Sequence, residues 1–291
     1  MNDPINFDIE TLVARYELHP ERQDVFVEGE CDQGVVRAFL ERQGCASVSV
    51  FSISVVNIPA ATILANSLPH PSRRSDVVAL AKELADKGVP SRQAVCIADS
   101  DFDQVLPRNL QCALLLFTDF ASMETYACSA EIMKFILTIV SPGSRVTGTN
   151  LIAGLVGPLE VLFSARATSL DLQLNLMWIK SIEKFFSIKN GDIHFDEKEF
   201  LRRYVVIRVS PDLLEKFDTR FRQILSLLVP DIRSKIRGRD FVQVLTWFLR
   251  RKEKCSHLNE DSVRQMLYIA LSAEDLAKHS MFSSLLGRIR S

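Results

Sequence analysis

Two short stretches decide the fold of this chain: DVFVEG at residues 24–29 and ADSDFD at residues 98–103. Each contains the end of an apolar run typical of a buried strand, and each places carboxylates where that strand ends. The carboxyl ends of neighbouring parallel strands meet at one edge of a sheet, in the crevice where open α/β sheets bind ligands. Carboxylates crowded there repel one another unless a cation is present, and Mg²⁺ and Mn²⁺ favour such oxygen ligands. The two stretches therefore predict an α/β fold with a divalent-metal site.

Strand and helix patterns alternate around these stretches. Helical periodicity predicts helices over residues 8–17, 33–42, 75–86 and 122–140. Runs of β-branched and apolar residues predict strands over residues 24–28, 47–56, 93–98 and 113–118. A break is expected at Pro69-His70-Pro71, and Ser75 or Asp76 is expected to cap the helix that follows. This order of elements predicts a mostly parallel sheet flanked by helices.

The sequence SPGS at residues 141–144 is a clear domain-boundary signal. Beyond it the periodicity becomes helical, with a short extended piece expected near residues 204–209. The helices are predicted over residues 150–187, 196–203, 211–226, 238–253, 259–269 and 272–288. We therefore predict an α/β domain over residues 1–142 and a mainly α-helical domain over residues 143–291.

The bulk composition is that of an ordinary globular protein. The chain has 291 residues, of which 47% are hydrophobic and 24% are charged, so a substantial core is expected. The formal net charge of -1 argues against a globally basic nucleic-acid-coating protein. A local basic groove is still compatible with it, because electrostatic steering depends on the distribution of charge.

The six cysteines and the apolar segments bear on the compartment. The cysteines are scattered and contain no CxxC pair, which favours free thiols in a reducing, cytoplasmic environment over a disulfide framework or a zinc site. The first residues lack the basic and apolar pattern of a signal peptide. No apolar run is expected to reach the roughly 18 to 20 residues that a membrane span requires, so we expect no membrane association.

Each acidic motif by itself has an alternative interpretation. A strand that ends in Glu-Gly is common and is compatible with an exposed acid before a turn. Asp-x-Asp after an apolar strand marks either a metal site or a solvated loop, because burial of both acids without a cation costs several kcal/mol. A phosphatase of the haloacid dehalogenase class would require Asp-x-Asp-Gly-Thr after its first strand, and the chain has no Walker motif.

The order of the motifs resembles the Toprim domain, the metal-binding fold of topoisomerases, bacterial primases and nucleases of the OLD class. The resemblance rests on Glu28-Gly29 after the first strand, on the acids at residues 99–103 after the third strand, and on the helix–strand–helix pattern between them. It implies a Toprim-like mostly parallel sheet. It also implies that Glu28 carries out general acid/base catalysis and that Asp99 and Asp101 bind metal.

Three motifs narrow the resemblance to the DUF4435 family and OLD-type nucleases. The segment EGECD at residues 28–32 resembles their E-G-x-x-D motif. This adds Asp32, which is expected at the start of the helix that follows the first strand. The segment DSDFD at residues 99–103 resembles D-x-D-F-D and adds Asp103. The segment TDFASMETY at residues 118–126 resembles the third motif and adds Glu124, which is expected in the first turn of a helix.

Within this family, the chain resembles the effector subunit of the PARIS anti-phage defence system. The resemblance implies a cytoplasmic endonuclease that uses Mg²⁺ or Mn²⁺, and a toxin that a separate ABC- or SMC-type ATPase holds silent until triggered. It further implies a homodimer in the active state and tRNA as the substrate. Two alternatives remain open: a DNA nuclease of the OLD type, and a non-catalytic Toprim-like module that docks on a partner ATPase.

A basic stretch late in the chain is the candidate nucleic-acid surface. It spans residues 233–254 and overlaps KIRGRD at residues 235–240, which loosely matches the DUF4435 family. Either it is a solvated, charged helix end, or its cations bind phosphates without reading sequence. Arg73-Arg74 is a second, weaker candidate. The predicted nucleic-acid-binding residues are Lys235, Arg237, Arg239, Arg250 and Arg251.

Overall fold

The computed structural model describes residues 6–66, residue 68 and residues 72–291. The break predicted at residues 69–71 lies outside these described residues. The strands are β1 (Asp24–Val27), β2 (Ser49–Ser52), β3 (Ala94–Ala98), β4 (Leu115–Phe117), β5 (Phe186–Lys189) and β6 (Asp192–Phe195). The α-helices are α1 (Ile9–Leu18), α2 (Glu30–Arg42), α3 (Ala60–Ala65), α4 (Arg73–Asp86), α5 (Ala130–Val140), α6 (Gly148–Asp171), α7 (Glu197–Leu201), α8 (Pro211–Ser226), α9 (Gly238–Arg251), α10 (Glu260–Ile269), α11 (Ala273–Leu276) and α12 (Ser280–Arg290).

The chain divides into two compact units. The sheet unit comprises Met1–Ser100, Asn109–Asp119 and Ser272–Ser291, and the helical unit comprises Asp101–Arg108 and Phe120–Leu271. This division differs from the predicted boundary at residue 142.

Aromatic contacts within each unit explain the difference. In the sheet unit, Phe282 of the C-terminal helix α12 packs on Phe39 of α2, with ring centroids 4.7 Å apart. In the helical unit, Phe102 from the loop after β3 packs on Phe163 of α6, with centroids 4.9 Å apart. Residues distant in the chain therefore complete each core. A domain boundary predicted from local sequence patterns does not take such contacts into account.

The sheet unit is an α/β structure. Within the described residues, its four strands are all parallel and lie in the order β2-β1-β3-β4. The two central strands, β1 and β3, are buried along their whole length. Strands covered on both faces read as continuous apolar runs, which is why the patterns VFV and AVCIA predicted them. The predicted α/β class is confirmed.

Several element boundaries differ from the sequence-based expectation. The N-cap of α4 is Ser72 rather than Ser75 or Asp76, because the extended backbone of Ser72 lets its hydroxyl accept a hydrogen bond from the Ser75 N–H at 3.1 Å. Strand β2 covers only Ser49–Ser52, and a 3₁₀ helix at Ile53–Val55 replaces the rest of the predicted strand.

The helical unit contains a hairpin that the sequence analysis did not predict, between two predicted helices. Helix α6 ends at Asp171 rather than at residue 187, and β5 and β6 then pair as antiparallel strands. The turn between them contains Asn190 and Gly191, both with positive φ (53° and 92°). Asn-Gly between two short strands is a strong hairpin signal, because both residues adopt positive φ at little cost.

Other predicted helices are interrupted. The segment 122–140 forms a 3₁₀ helix at Met123–Ala127, and α5 begins only after Ser129, whose side chain accepts from the Ile132 N–H. The expectation of an extended piece near residues 204–209 is wrong, because a π-helical turn at Arg202–Val206 and a further turn occupy these positions. Serine and threonine side chains compete for backbone donors and so favour such breaks.

Among the described residues, α6 is the one helix long and apolar enough to cross a membrane, judged by length and composition. The expectation that no segment reaches this length is therefore not met. The finding is weak evidence for a span, because 56% of the apolar window is buried inside the protein. Helix α6 also carries Arg166, which forms a bidentate ion pair with Asp240 at 2.8 and 2.9 Å.

The six cysteines are free thiols in the structure. Cys96 and Cys128 are buried, and burial raises the pKa of the Cys128 thiol to about 12. Burial also raises the pKa of Cys96. These thiols are packing residues rather than nucleophiles, because a thiol with a raised pKa remains protonated at neutral pH.

Two glycines of α6 test the packing of the helical unit. A Cβ at Gly148 would collide with the Ala130 carbonyl oxygen and the Lys134 backbone nitrogen, whereas a Cβ at Gly157 would meet nothing within 4 Å. We expect Gly148→Ala to lower the free energy of unfolding by about 1–3 kcal/mol. Gly157→Ala should raise it by about 0.5–1 kcal/mol, because a mid-helix glycine is entropically unfavourable. Urea denaturation of both variants measures this, and equal effects would contradict the close packing at Gly148.

Candidate functional site

The candidate site lies where β1 and β3 end. These strands are neighbours with Val27 opposite Ile97, so Glu28 and Asp99 follow adjacent strand ends. Glu28 Oε1 accepts a hydrogen bond from the Asp99 backbone N–H at 2.7 Å. The structure therefore brings together the predicted catalytic acid and a predicted metal-site acid at the carboxyl edge of the sheet.

Asp32 belongs to the same part of the sheet unit. Helix α2 starts at Glu30 with Gly29 as its N-cap, and Asp32 lies in the first turn. A Cβ at Gly29 would come within 3.0 Å of Asp32 Oδ2 and 3.9 Å of Arg73 Nη1. Gly29 thus allows the Asp32 carboxylate to approach the backbone that follows Glu28, at the N-terminus of a helix that favours negative charge.

Two arginines at the start of α4 contact the same edge. Arg73 Nη1 donates to the Glu28 carbonyl oxygen at 3.4 Å, and Arg74 Nε donates to the Asp99 carbonyl oxygen at 2.7 Å. Arg74 is only 6% exposed, and its guanidinium lies over the Phe117 ring, 5.4 Å from the centroid. Carboxylates and guanidinium groups are therefore interleaved here, which suits a site for a cation together with a phosphate.

The other predicted metal-site acids belong to the helical unit. Asp101 has a left-handed backbone (φ 47°), and its N–H donates to the Ala121 carbonyl oxygen at 2.9 Å. Its carboxylate pairs with Arg237 Nη2 at 2.9 Å, and the Arg237 guanidinium also lies over the Phe102 ring. Asp103 is half-buried in the same loop. An arginine thus provides the counter-charge of Asp101 within this unit.

Glu124 occupies a different setting from the one expected. It lies in the 3₁₀ helix Met123–Ala127, so the expectation that it starts a long helix is wrong. Its carboxylate pairs with Arg264 Nε at 3.3 Å. A Cβ at Gly238, the first residue of α9, would collide with this carboxylate and with the Ser122 hydroxyl. Glu124 therefore contacts the start of α9, and not the start of the long helix that the sequence predicted.

Three carboxylates of the sheet unit have the donor chemistry that a divalent cation requires. Glu28, Asp32 and Asp99 supply the hard oxygen atoms that Mg²⁺ and Mn²⁺ favour, at the edge of the sheet unit where a ligand is expected. Across residues 6–66, 68 and 72–291, no group of three or more His, Cys, Asp or Glu side chains is arranged to hold a metal ion. The donor chemistry fits a hard cation, and the arrangement seen is a hydrogen-bonded one.

The predicted nucleic-acid-binding residues separate into two groups. Lys235 pairs with Glu160 at 2.6 Å and is 12% exposed, and Arg237 pairs with Asp101 as described above. The side chains of the other three are exposed: Arg239, Arg250 and Arg251. The helix-end cations, rather than those of the preceding loop, are the ones accessible to a ligand.

Arg73, Arg74 and Arg264 contact predicted site residues and were not assigned to the acidic site from the sequence. The sequence could have indicated Arg74, because Arg73-Arg74 precedes an apolar helical pattern and so places cations at the start of a helix. No sequence pattern could have indicated Arg264, because it is separated from Glu124 by 140 positions in the chain.

No model of a known protein family matches the chain, and a search of curated proteins finds no match.

Substitution of Glu28 tests the bridge between the two strand ends. Glu28→Gln keeps an Oε1 acceptor for the Asp99 N–H, so we expect the free energy of unfolding to change by less than about 1 kcal/mol. Glu28→Ala leaves that donor without its acceptor and should cost about 1–3 kcal/mol. Urea denaturation followed by circular dichroism compares the two, and equal stability of both variants would argue against the bridge.

Proposed function

We propose that this protein is a Toprim-type endonuclease that hydrolyses phosphodiester bonds with Mg²⁺ or Mn²⁺, and that it acts on tRNA as an effector of anti-phage defence. One observation carries the proposal: Glu28 and Asp99 follow adjacent parallel strands and are joined by a 2.7 Å hydrogen bond. This is the edge at which open α/β sheets bind ligands. The order of acidic motifs that resembles the Toprim domain supports the same assignment.

The sheet unit supplies groups for each part of the reaction. Glu28, Asp32 and Asp99 would hold the divalent ion, which when bound would lower the pKa of a coordinated water and stabilise charge on the phosphoryl oxygens. Glu28 acts as a general base that accepts a proton from the attacking water, or as a general acid that donates a proton to the leaving oxygen. Arg73, the exposed first residue of α4, orients the phosphate by charge-assisted hydrogen bonds, and the buried Arg74 holds the backbone of Asp99 in place.

The remaining proposed ligands rest on the motif resemblance. They are Asp101, Asp103 and Glu124 in the helical unit. The tRNA substrate, the partner ATPase of the ABC or SMC type and the active homodimer rest on the same resemblance. An OLD-type DNA nuclease would use the same groups on a different polymer, so the choice of substrate is a matter for experiment.

A non-catalytic docking module is the second candidate function. It is favoured by the ion pairs of two predicted metal-site acids, Asp101 with Arg237 and Glu124 with Arg264. An arginine counter-ion lets a carboxylate remain partly buried without a metal. In this case the protein would bind a partner ATPase and cleave nothing.

Incubation of the purified protein with total tRNA, plasmid DNA and single-stranded DNA in Mg²⁺ or Mn²⁺ tests the proposal. We expect discrete tRNA fragments from the wild type. Glu28→Gln should lower the cleavage rate by about 10²–10⁴-fold, because it retains the hydrogen bond to Asp99 but loses the proton acceptor. Gel analysis of the products measures both.

Glu41→Gln is the matched control, because Glu41 is an exposed residue of α2 in the same unit and carries the same charge. It should cleave like the wild type. Cleavage of DNA alone would assign the OLD-type alternative. Full activity of Glu28→Gln would overturn the role of Glu28, and absence of cleavage by every preparation would favour the docking module.

Metal binding can be measured without catalysis. At a Mn²⁺ concentration of 100 times the dissociation constant, a single site should stabilise the folded state by about 2.7 kcal/mol. We expect thermal unfolding to show this shift for the wild type, EDTA to remove it, and Asp99→Asn to reduce it because one carboxylate ligand is lost. A wild-type protein that Mn²⁺ leaves unchanged would contradict the proposed metal site.

A further inference from the structure

An open groove of about 1450 Å³ lies within the helical unit. Residues around β5, the C-terminal half of α9 and the start of α10 line it. This volume exceeds the roughly 300–1,000 Å³ typical of small-molecule pockets. The groove therefore suits an extended ligand rather than a small metabolite.

Four cations line this groove and come from two distant segments of the chain. Lys180 and Lys184 precede β5, and Arg250 and Arg251 end α9. All four side chains are exposed. In the part of the chain that the structure describes, none of the four forms an ion pair. Their positive charge is therefore available to a ligand.

The acids of the groove only partly offset this charge. Asp261 pairs with Arg264 Nη1 at 3.0 Å, and Glu183 accepts from Gln243 Nε2 at 3.3 Å. Glu260 lies with Asp261 in the first turn of α10, where the helix N-terminus favours negative charge. The four cations outnumber the three acids, so the lining carries a formal net charge of +1, and a polyanion complements the four exposed cations.

Two aromatic residues that line the groove are buried and do not present a ring face to a ligand. The rings of Phe186 and Trp247 pack together with centroids 5.2 Å apart, and both residues are buried, with 7% and 8% of their surface exposed. Bases cannot stack on rings that are covered in this way. Contact with a nucleic acid would therefore be made through its backbone phosphates, without reading of sequence.

We propose that this groove binds the phosphodiester backbone of a nucleic acid through Lys180, Lys184, Arg250 and Arg251. The inference rests on the proposed function for the identity of the polyanion as a nucleic acid. Arginine guanidinium groups bind phosphate oxygens in a bidentate manner, and the lysines add point charges. The groove supplies non-specific affinity for a substrate whose cleavage depends on other residues.

Fluorescence anisotropy of labelled oligo(U) in EDTA tests the groove in the absence of cleavage. With four phosphates neutralised, log K should fall with log[salt] with a slope of about −2.8. Arg250→Gln/Arg251→Gln should reduce the slope to about −1.4 and weaken binding about tenfold near 0.15 M salt. Lys180→Gln/Lys184→Gln should do the same. Because all four side chains are exposed, both variants should fold.

Lys198→Gln/Lys216→Gln is the charge-matched control, because both lysines are exposed in the helical unit and do not line the groove. It should bind like the wild type. Groove variants with unchanged affinity and slope would overturn the proposal. Equal loss in the control would also overturn it, since that result would reflect net charge alone.

Competitors identify the ligand class. Oligo(dT) or a DNA duplex that competes as well as RNA supports recognition of the backbone common to both. Poly-glutamate that competes equally would overturn the nucleic-acid assignment and indicate an acidic protein partner.

Failure of the groove and failure of the nuclease are distinguishable. Binding of oligo(U) by Glu28→Gln, with no cleavage by the wild type in Mg²⁺ or Mn²⁺, would leave the groove standing and remove the nuclease. Cleavage that persists at the wild-type rate in both groove variants would support the nuclease and overturn the role of the groove.

Discussion

The pairing of β1 with β3 is the constraint on which the candidate site depends. Both strands are buried along their whole length and pair in one parallel register, with Val27 opposite Ile97. The register places the end of one strand beside the end of the other, and Glu28 then bridges to the Asp99 backbone at 2.7 Å. The proposed chemistry depends on this placement of the Glu28 carboxylate.

Arginine side chains contact several of the predicted site residues. Arg74 donates to the Asp99 carbonyl oxygen in the sheet unit, while Arg237 pairs with Asp101 and Arg264 pairs with Glu124 in the helical unit. Partly buried carboxylates need a compensating positive charge, and either a metal ion or a guanidinium group can supply it. The same acids are therefore compatible with catalysis and with a purely structural role, and this is why metal binding and cleavage must be measured separately.

Local patterns predicted the sheet unit well and the helical unit less well. The central strands and helices α1, α2 and α8 follow from continuous apolar runs or from clear helical periodicity. The errors arise where a serine hydroxyl offers the backbone an alternative hydrogen bond, or where a turn contains residues that adopt positive φ at little cost. Ser72 caps α4 three residues before Ser75, Ser129 delays the start of α5, and the Asn190-Gly191 turn directs the chain into a hairpin.

The sequence by itself determined the α/β class, the ends of β1 and β3, and the placement of acids where these strands stop, because each depends on neighbours in the chain. Only the tertiary structure decided which charges meet. It pairs Arg237 with Asp101 across 136 positions and brings Lys180 and Lys184 to the same groove as Arg250 and Arg251. Such contacts depend on how helices and loops pack, and local periodicity carries no information about the side chains that packing brings together.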